Sequence, residues 1–269
     1  MPAASARAWE TVLRSIEAAL LDGRLRPGDH LPPERALAAD LGVGRSSVRE
    51  AVRVLEVLGL VRTATGSGPS AGAIIVATPS GGMSALMRLQ VAAQGFAVAD
   101  VVATRLLLET SIVSDLAAAH ATAATDVRHF LTDAPREVAH NDDALAPAAQ
   151  LLDAMDSPAL TEAEFLALDA RFHVALAEAS GNTVAAAMME GLRNAIESYV
   201  LAAVPSLPSW ARTSARLRVE HLGILNAIAA GDPTDAAARV RAHITGYYAE
   251  SALTGAHHQP ATSKGTHHG

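Results

Sequence analysis

Residues 31–61 read LPPERALAADLGVGRSSVREAVRVLEVLGLV. After Leu31, Pro32 and Pro33, the run from Glu34 to Leu41 has the length of a two-turn helix, with Pro33 suited to its first position and Gly42 just past its end. From Arg45 to Leu58 a second helix puts Val48, Ala51, Val52, Leu55 and Leu58 on one face, and Gly59 closes it. Arg45, Ser46 and Arg49 fall opposite that stripe, so one face packs while the other offers guanidinium and hydroxyl groups. Upstream, Trp9 to Leu21 carries Val12, Leu13, Ile16, Ala19 and Leu20 at helical spacing, ended by Gly23, Pro27 and Gly28. Downstream, short apolar runs at Leu60 to Arg62 and Ala73 to Ala77 flank Thr65-Gly66-Ser67-Gly68-Pro69-Ser70, which predicts a two-stranded ribbon with a flexible tip. Three short helices, a Gly-containing turn between the second and third, and a ribbon predict a winged helix-turn-helix.

The composition fits a helical remainder. Of 269 residues, 50% are hydrophobic but only 3% aromatic, so the core is aliphatic and Ala-rich, which favours packed helices over sheets. The formal charge is -7, which excludes attachment to nucleic acid by bulk positive charge. Split near residue 76, the first part has 9 Arg against 8 acids and the second 12 basic against 20 acidic residues, so the acidity belongs to the second part. Lys264 is the only lysine. With no cysteine, disulfides, thiolate catalysis and Cys-based metal sites are excluded. No N-terminal apolar segment and no run of membrane-spanning length is found, which predicts a soluble, cytoplasmic protein without membrane contact.

Pro79-Ser80-Gly81-Gly82 reads as a hinge. Beyond it the periodicity predicts helices near Met83 to Ala93, Val98 to His120, Thr125 to Leu131, Leu145 to Met155, Thr161 to Ala179, Thr183 to Val204, Trp210 to Ala230 and Thr234 to Leu253. The segment Asp133 to Asp143 reads as a polar loop. In the helix Thr161 to Ala179, Asp169 and His173 are four apart and share a face with Phe165, Leu166, Phe172 and Leu176. A carboxylate on such a face is costly unless something pairs with it. His221 falls with Ile224, Leu225 and Ile228, and His243 with Val240 and Tyr247. An Asp and three His directed into one bundle suit a divalent first-row metal, with a satisfied core histidine as the alternative for each. Arg105 lies on a helix apolar on nearly every side, so it is expected to point inward; the other reading is an i,i+4 ion pair with Glu109.

The quoted stretch resembles closely the N-terminal domain of the GntR family of bacterial transcription regulators: Leu-Pro, Glu-Arg, Leu-Ala, Leu-Gly-Val, Arg, Val-Arg-Glu-Ala and a final Leu-x-x-x-Gly-Leu. It departs at Gly44, where the family has Ser or Thr, and in a ribbon tip longer than Gly-x-Gly. The part after the hinge resembles the FCD ligand-binding domain of the FadR subfamily through Arg105-Leu-Leu-Leu-Glu109, Leu168-Asp169-Ala-Arg-Phe172-His173, Ala179-Ser180-Gly181-Asn182, and His221 and His243 with Ala229-Ala230-Gly231-Asp232 between them. The resemblance implies DNA contacts from Arg35, Arg45, Ser46, Ser47, Arg49 and Gly66, and a metal set of Asp169, His173, His221 and His243. Zinc is taken first, and nickel or manganese also fit an oxygen-plus-three-nitrogen set. Arg105 is implied to bind an effector carboxylate, for which its fork is suited. Asn226 and Ser180 are further candidates for hydrogen bonds to the effector.

The expectation is therefore a mainly α protein. Residues 1–78 form a winged helix-turn-helix with a small β-ribbon, 79–255 an all-helical antiparallel bundle for metal and effector binding and dimerisation, and 256–269 a disordered tail. Its function is expected to be that of a homodimeric repressor on a palindromic DNA operator, modulated by a small organic-acid or sugar-acid effector beside a divalent metal. A metal-dependent hydrolase-like enzyme, or a regulator in which the metal itself is the signal, are the rival readings.

Overall fold

Gly42 takes φ 62° just after the helix Glu34–Leu41 (α2), a conformation that glycine adopts without steric cost, and its N–H closes the last turn on Ala39. The chain turns there and enters Arg45–Val57 (α3) through Gly44, which caps the helix in an extended conformation with no side-chain bond. The computed structural model describes residues 3–64, 72–76, 80–130 and 142–251. It divides into two compact units, Met1–Leu86 and Met87–Gly269.

In the first unit, α1 (Ala3–Leu21) starts earlier than the periodic apolar run, because Ala3, Ala4, Ala6 and Ala8 are strong helix formers. Strands β1 (Val61–Ala64) and β2 (Gly72–Ile75) pair antiparallel, with Val61 opposite Ile75, and His30 bridges to Ile74. Val12, Ile16, Leu37, Val48, Ala51, Leu55, Val61 and Ile75 form one apolar core, so three helices and the ribbon bury a common face. Glu56 ties the ribbon to α3 by accepting from the backbone N–H of Thr63 at 3.1 Å and from its hydroxyl. Of the expected hinge, Pro79 lies outside the described residues, and Ser80 to Gly82 begin the helix Ser80–Ala92 (α4). A Cβ on Gly82 would stand 2.4 Å from the Leu58 carbonyl oxygen, so the chain passes too close for any side chain.

Among the described residues the second unit is all helical: α5 (Val98–Phe130), α6 (Asp142–Met155), α7 (Glu162–Ala179), α8 (Thr183–Ala203), a 3-10 turn (Val204–Ser206), α9 (Trp210–Ala229) and α10 (Pro233–Glu250). The expected break after His120 is absent, since the Ala-rich run from Ala117 onward contains neither Gly nor Pro and continues α5. Thr161 and Glu164 form a reciprocal capping box that starts α7. The sequences Ser180-Gly181-Asn182 and Ala230-Gly231-Asp232 make matching reversals: a glycine at φ 73° or 69° leads into an Asn or Asp that caps the next helix. α5 packs on α10, α7 on α8, and α9 on α10, around an apolar core that includes Phe165, Phe172, Leu176, Ile224 and Ile244. Position Gly66, the tail 256–269 and residues 131–141 lie outside the described residues.

Candidate DNA-reading face and metal centre

On the first unit, Arg35, Arg45, Ser46 and Arg49 are exposed, and so is Arg53, one turn beyond Arg49, which the sequence reading passed over. Ser47 is a correction. It is only 6% exposed, because it lies beside Val48 and one turn before Ala51 on the packed side of α3. Arg49 donates to Glu34 through Nη2 at 2.9 Å and Nε at 3.3 Å, so the two helices of the motif are joined by a fork-to-carboxylate pair. The hydrogen bonds from Arg49, against a small desolvation cost and with the fields of Arg45 and Arg53, lower the pKa of Glu34.

On the second unit, α7, α9 and α10 bring Asp169, His173, His221 and His243 together, all buried, with one donor atom from each lying within 4.8 Å of the others. Asp169 Oδ1 stands 3.1 Å from His221 Nε2, 3.8 Å from His243 Nε2 and 3.9 Å from His173 Nε2. His173 Nε2 and His243 Nε2 are 3.1 Å apart. The outer ring nitrogens of two histidines face carboxylates: His173 Nδ1 meets Glu109, and His243 Nδ1 lies 2.9 Å from Glu220 Oε2. The Glu220 contact is a hydrogen bond that holds Nδ1–H of His243 in place and turns its Nε2 lone pair inward, whereas Glu109 lies against His173 Nδ1 as a close charged neighbour without aligned hydrogen-bond geometry. Phe172 packs against the His221 ring at 4.5 Å between centroids.

Burial works against the Asp169 charge, but Arg193 and the facing imidazoles hold its pKa well below the usual carboxylate value. The Arg193 guanidinium bonds its other oxygen, Oδ2. Burial likewise opposes the Glu109 charge and is outweighed by Arg105 and His173, which lower its pKa. For His173, burial dominates despite Glu109 and brings the pKa down to about 3. His221 is lowered too, by burial and then by His243. Both are thus neutral near pH 7, the form that binds a metal. Although His221 Nε2 faces Asp169 Oδ1, neither of its ring nitrogens is aligned for a hydrogen bond. A fully buried imidazole without one is costly, and converging lone pairs on three imidazoles and a carboxylate fit a cation between them.

Arg105 is 2% exposed, pointing inward as its helix predicts, and it also pairs with Glu109 at 2.8 Å. Its Nη1 donates to the Tyr248 hydroxyl at 2.8 Å. A cavity of ≈ 20 Å³ opens beside the tetrad, and Arg105, Asp169, Arg193 and His243 are among the residues that line it. Asn226 does not reach it: the residue is exposed on α9, since the inward positions of that helix are taken by Ile224, Leu225, Ala227 and Ile228. Ser180 instead ends α7, donating to the Ala177 carbonyl at 2.6 Å. Arg193 and Glu220 were not singled out by sequence. A signal for Arg193 existed in the need of Asp169 for a buried partner, whereas Glu220 meets His243 across 23 positions and has no local signature.

Comparison with known proteins agrees with both halves. Residues 9–69 match the model for bacterial regulatory proteins of the gntR family, and residues 100–246 match the FCD domain. The HTH-type transcriptional regulator LutR of Bacillus subtilis is 31% identical over 86% of this chain and 98% of its own length. The HTH-type transcriptional repressor NanR of Cronobacter sakazakii is 28% identical over 92% of this chain and 86% of its own. The Glc operon transcriptional activator of Escherichia coli K12 is 27% identical over 87% and 85%. A solved GntR structure from Streptococcus agalactiae shares the fold with a TM-score of 0.54 at 24% identity, covering 89% of this chain and 98% of that one. These relatives are transcription regulators and not enzymes, which decides against the hydrolase reading. A winged helix-turn-helix followed by a helical FCD domain places the chain in the GntR family of bacterial transcription regulators, within its FadR subfamily.

Proposed function

We propose that this DNA-binding regulator acts in the cytoplasm as a homodimeric repressor on a palindromic operator, and that a small carboxylate bound beside a divalent metal sets its operator affinity. The convergence of Asp169, His173, His221 and His243, with carboxylates behind two of the imidazoles, is the observation that carries the reading. When bound, zinc, or nickel or manganese in its place, supplies a positive charge to which an effector oxygen can coordinate. Arg105 and Arg193 border the adjoining cavity and would take the effector carboxylate. On DNA, Arg45, Ser46 and Arg49 lie at the start of α3, the part of a recognition helix that reaches base edges in the major groove, and Arg35 is placed for a phosphate. A homodimer presents two such helices to two half-sites. For the effector to act, it must prefer one arrangement of the bundle over another.

The test is operator affinity, measured by fluorescence anisotropy on a promoter fragment that the protein itself selects from sheared genomic DNA. In zinc-loaded protein, an effector acid should change Kd by roughly five- to a hundredfold, the usual range of allosteric coupling. After chelation the same acid should have no effect. If chelation alone abolishes DNA binding and acids do nothing, the metal is the signal; if neither treatment changes Kd, the reading fails.

A further inference from the structure

Behind His243 the bonding does not stop at Glu220. α9 and α10 run past one another in opposite directions, so Thr213 meets Glu250 and, further along α9, Glu220 meets His243. His243 Nδ1–H donates to Glu220 Oε2 at 2.9 Å, and the other Glu220 oxygen accepts from Arg216 Nη1 at 2.6 Å. Arg216 Nη2 donates to Glu250 Oε2 at 2.6 Å, and Glu250 Oε1 accepts from the Thr213 hydroxyl at 2.7 Å. An ionised carboxylate can only accept, so this chain of bonds puts the hydrogen of His243 on Nδ1. Its ends, His243 and Thr213, are buried, while the three charged side chains between them are 25% to 35% exposed.

A flexible glutamate that water can reach is not fixed by one bond to an imidazole. Arg216 supplies the second bond, and its planar guanidinium is itself held between two carboxylates, one on each helix. Two roles for this arginine predict opposite effects on a cation in the tetrad. As a bare positive charge it repels the ion, so its removal would tighten metal binding. As the group that aims Glu220, its removal would release the Glu220 carboxylate, let the His243 ring turn or exchange tautomers, and weaken metal binding. Water around a guanidinium 35% exposed screens the repulsion, whereas aiming acts through bond geometry and is not screened, so the second effect wins.

We propose that Arg216 is a positioning residue of the metal centre: braced by Glu250 and Thr213, it holds Glu220 so that His243 presents Nε2 to the cation. The proposal rests on the metal reading above and deepens it, because Arg216 stands outside both the ligand set and the lining of the adjoining cavity. The site is then built partly from the seam between α9 and α10, and not only from the four side chains that would touch the ion.

Zinc affinity of the full chain, measured in competition with a chelating dye, tests this. Arg216→Met keeps the unbranched stem but has no charge and no donor, and should bind zinc roughly three- to tenfold more weakly, a smaller loss than that of a direct partner of the imidazole. Arg216→Lys keeps the charge without the planar fork and should fall between the two. In a Glu220→Ala background, Arg216→Met should change the affinity by less than about twofold, because the arginine acts through Glu220. The metal-free protein gives a second readout: nitrogen NMR of the His243 ring in mildly alkaline buffer should find Nδ1–H in the wild type and a mixture of tautomers in Arg216→Met. Equal or tighter zinc binding by Arg216→Met, the same loss without Glu220, or an unchanged His243 tautomer would each overturn the proposal while leaving the metal site standing. Wild-type protein that binds no zinc would overturn both.

Discussion

Two arginine–carboxylate pairs of almost equal length stand in opposite settings. Arg49 meets Glu34 at 2.9 Å with side chains 53% and 35% exposed, whereas Arg105 meets Glu109 at 2.8 Å with side chains 2% and 4% exposed. Water screens the first pair, so Arg49 can exchange Glu34 for a DNA phosphate or base at little cost. The second pair has lost its water. Each member must keep a partner, and Glu109 also faces His173, so Arg105, Glu109 and the imidazole form one unit. One chemistry thus serves two purposes: the exposed arginine remains available to a ligand, and the buried one fixes a site.

The comparison can be broken most directly by removing one buried partner. Glu109→Ala leaves Arg105 charged and unpaired, and should destabilise the second unit by about 3–5 kcal/mol in urea unfolding. A change under about 1 kcal/mol would mean that the pair is not buried in solution. The two tryptophans separate the units, because Trp9 belongs to the first and Trp210 lies edge-on to Phe165 in the second. With Trp9→Phe, the fluorescence of Trp210 follows the bundle alone.

Acid should act on the same unit. In metal-free protein the pKa of His173 is near 3 when folded and about 6.5 when unfolded, so between these values the unfolded chain binds more protons. Stability is therefore lost as pH falls through that window, by up to about 1.4 kcal/mol per pH unit for each such imidazole, and His221 adds in the same sense. Glu109 and Asp169, also lowered, extend the loss below the ordinary carboxylate range. A Trp210 unfolding midpoint in urea that stays constant from pH 6.5 to 4 would contradict buried neutral histidines.

A smaller effect is expected from Glu220→Gln, which weakens the support of His243 Nδ1 without stranding a buried charge. Zinc affinity should fall about 10–100-fold in competition with a chelating dye, with little change in metal-free stability. The smallest effect on stability belongs to Arg49→Ala, since its pair with Glu34 is exposed. Tm should move by no more than about a degree, while operator binding weakens roughly ten- to a hundredfold if Arg49 reads a base. Unchanged operator affinity would remove that role.

Much of this was legible in the sequence because the signals are local. Pro33, Gly42 and Gly44 punctuate the reading head, and the spacing of Asp169 and His173 follows from the helical repeat. His221 and His243 were found as polar residues on apolar faces. What stayed hidden depends on contacts between elements that lie far apart in the chain. Glu109 was visible as a neighbour of Arg105 but not as the partner of His173, and Glu220 not as that of His243. Ser47 and Asn226 were misplaced for a simpler reason: each lies beside its helix's apolar stripe, where one position decides between buried and exposed.

Metal content tests the central claim, that the buried tetrad is a cation site. After loading with zinc and exhaustive dialysis, elemental analysis should find one ion per chain in the wild type and almost none in a double variant, Asp169→Asn with His221→Gln, whose circular dichroism remains helical. Wild-type protein without stoichiometric metal, or a double variant that retains it, would contradict the account.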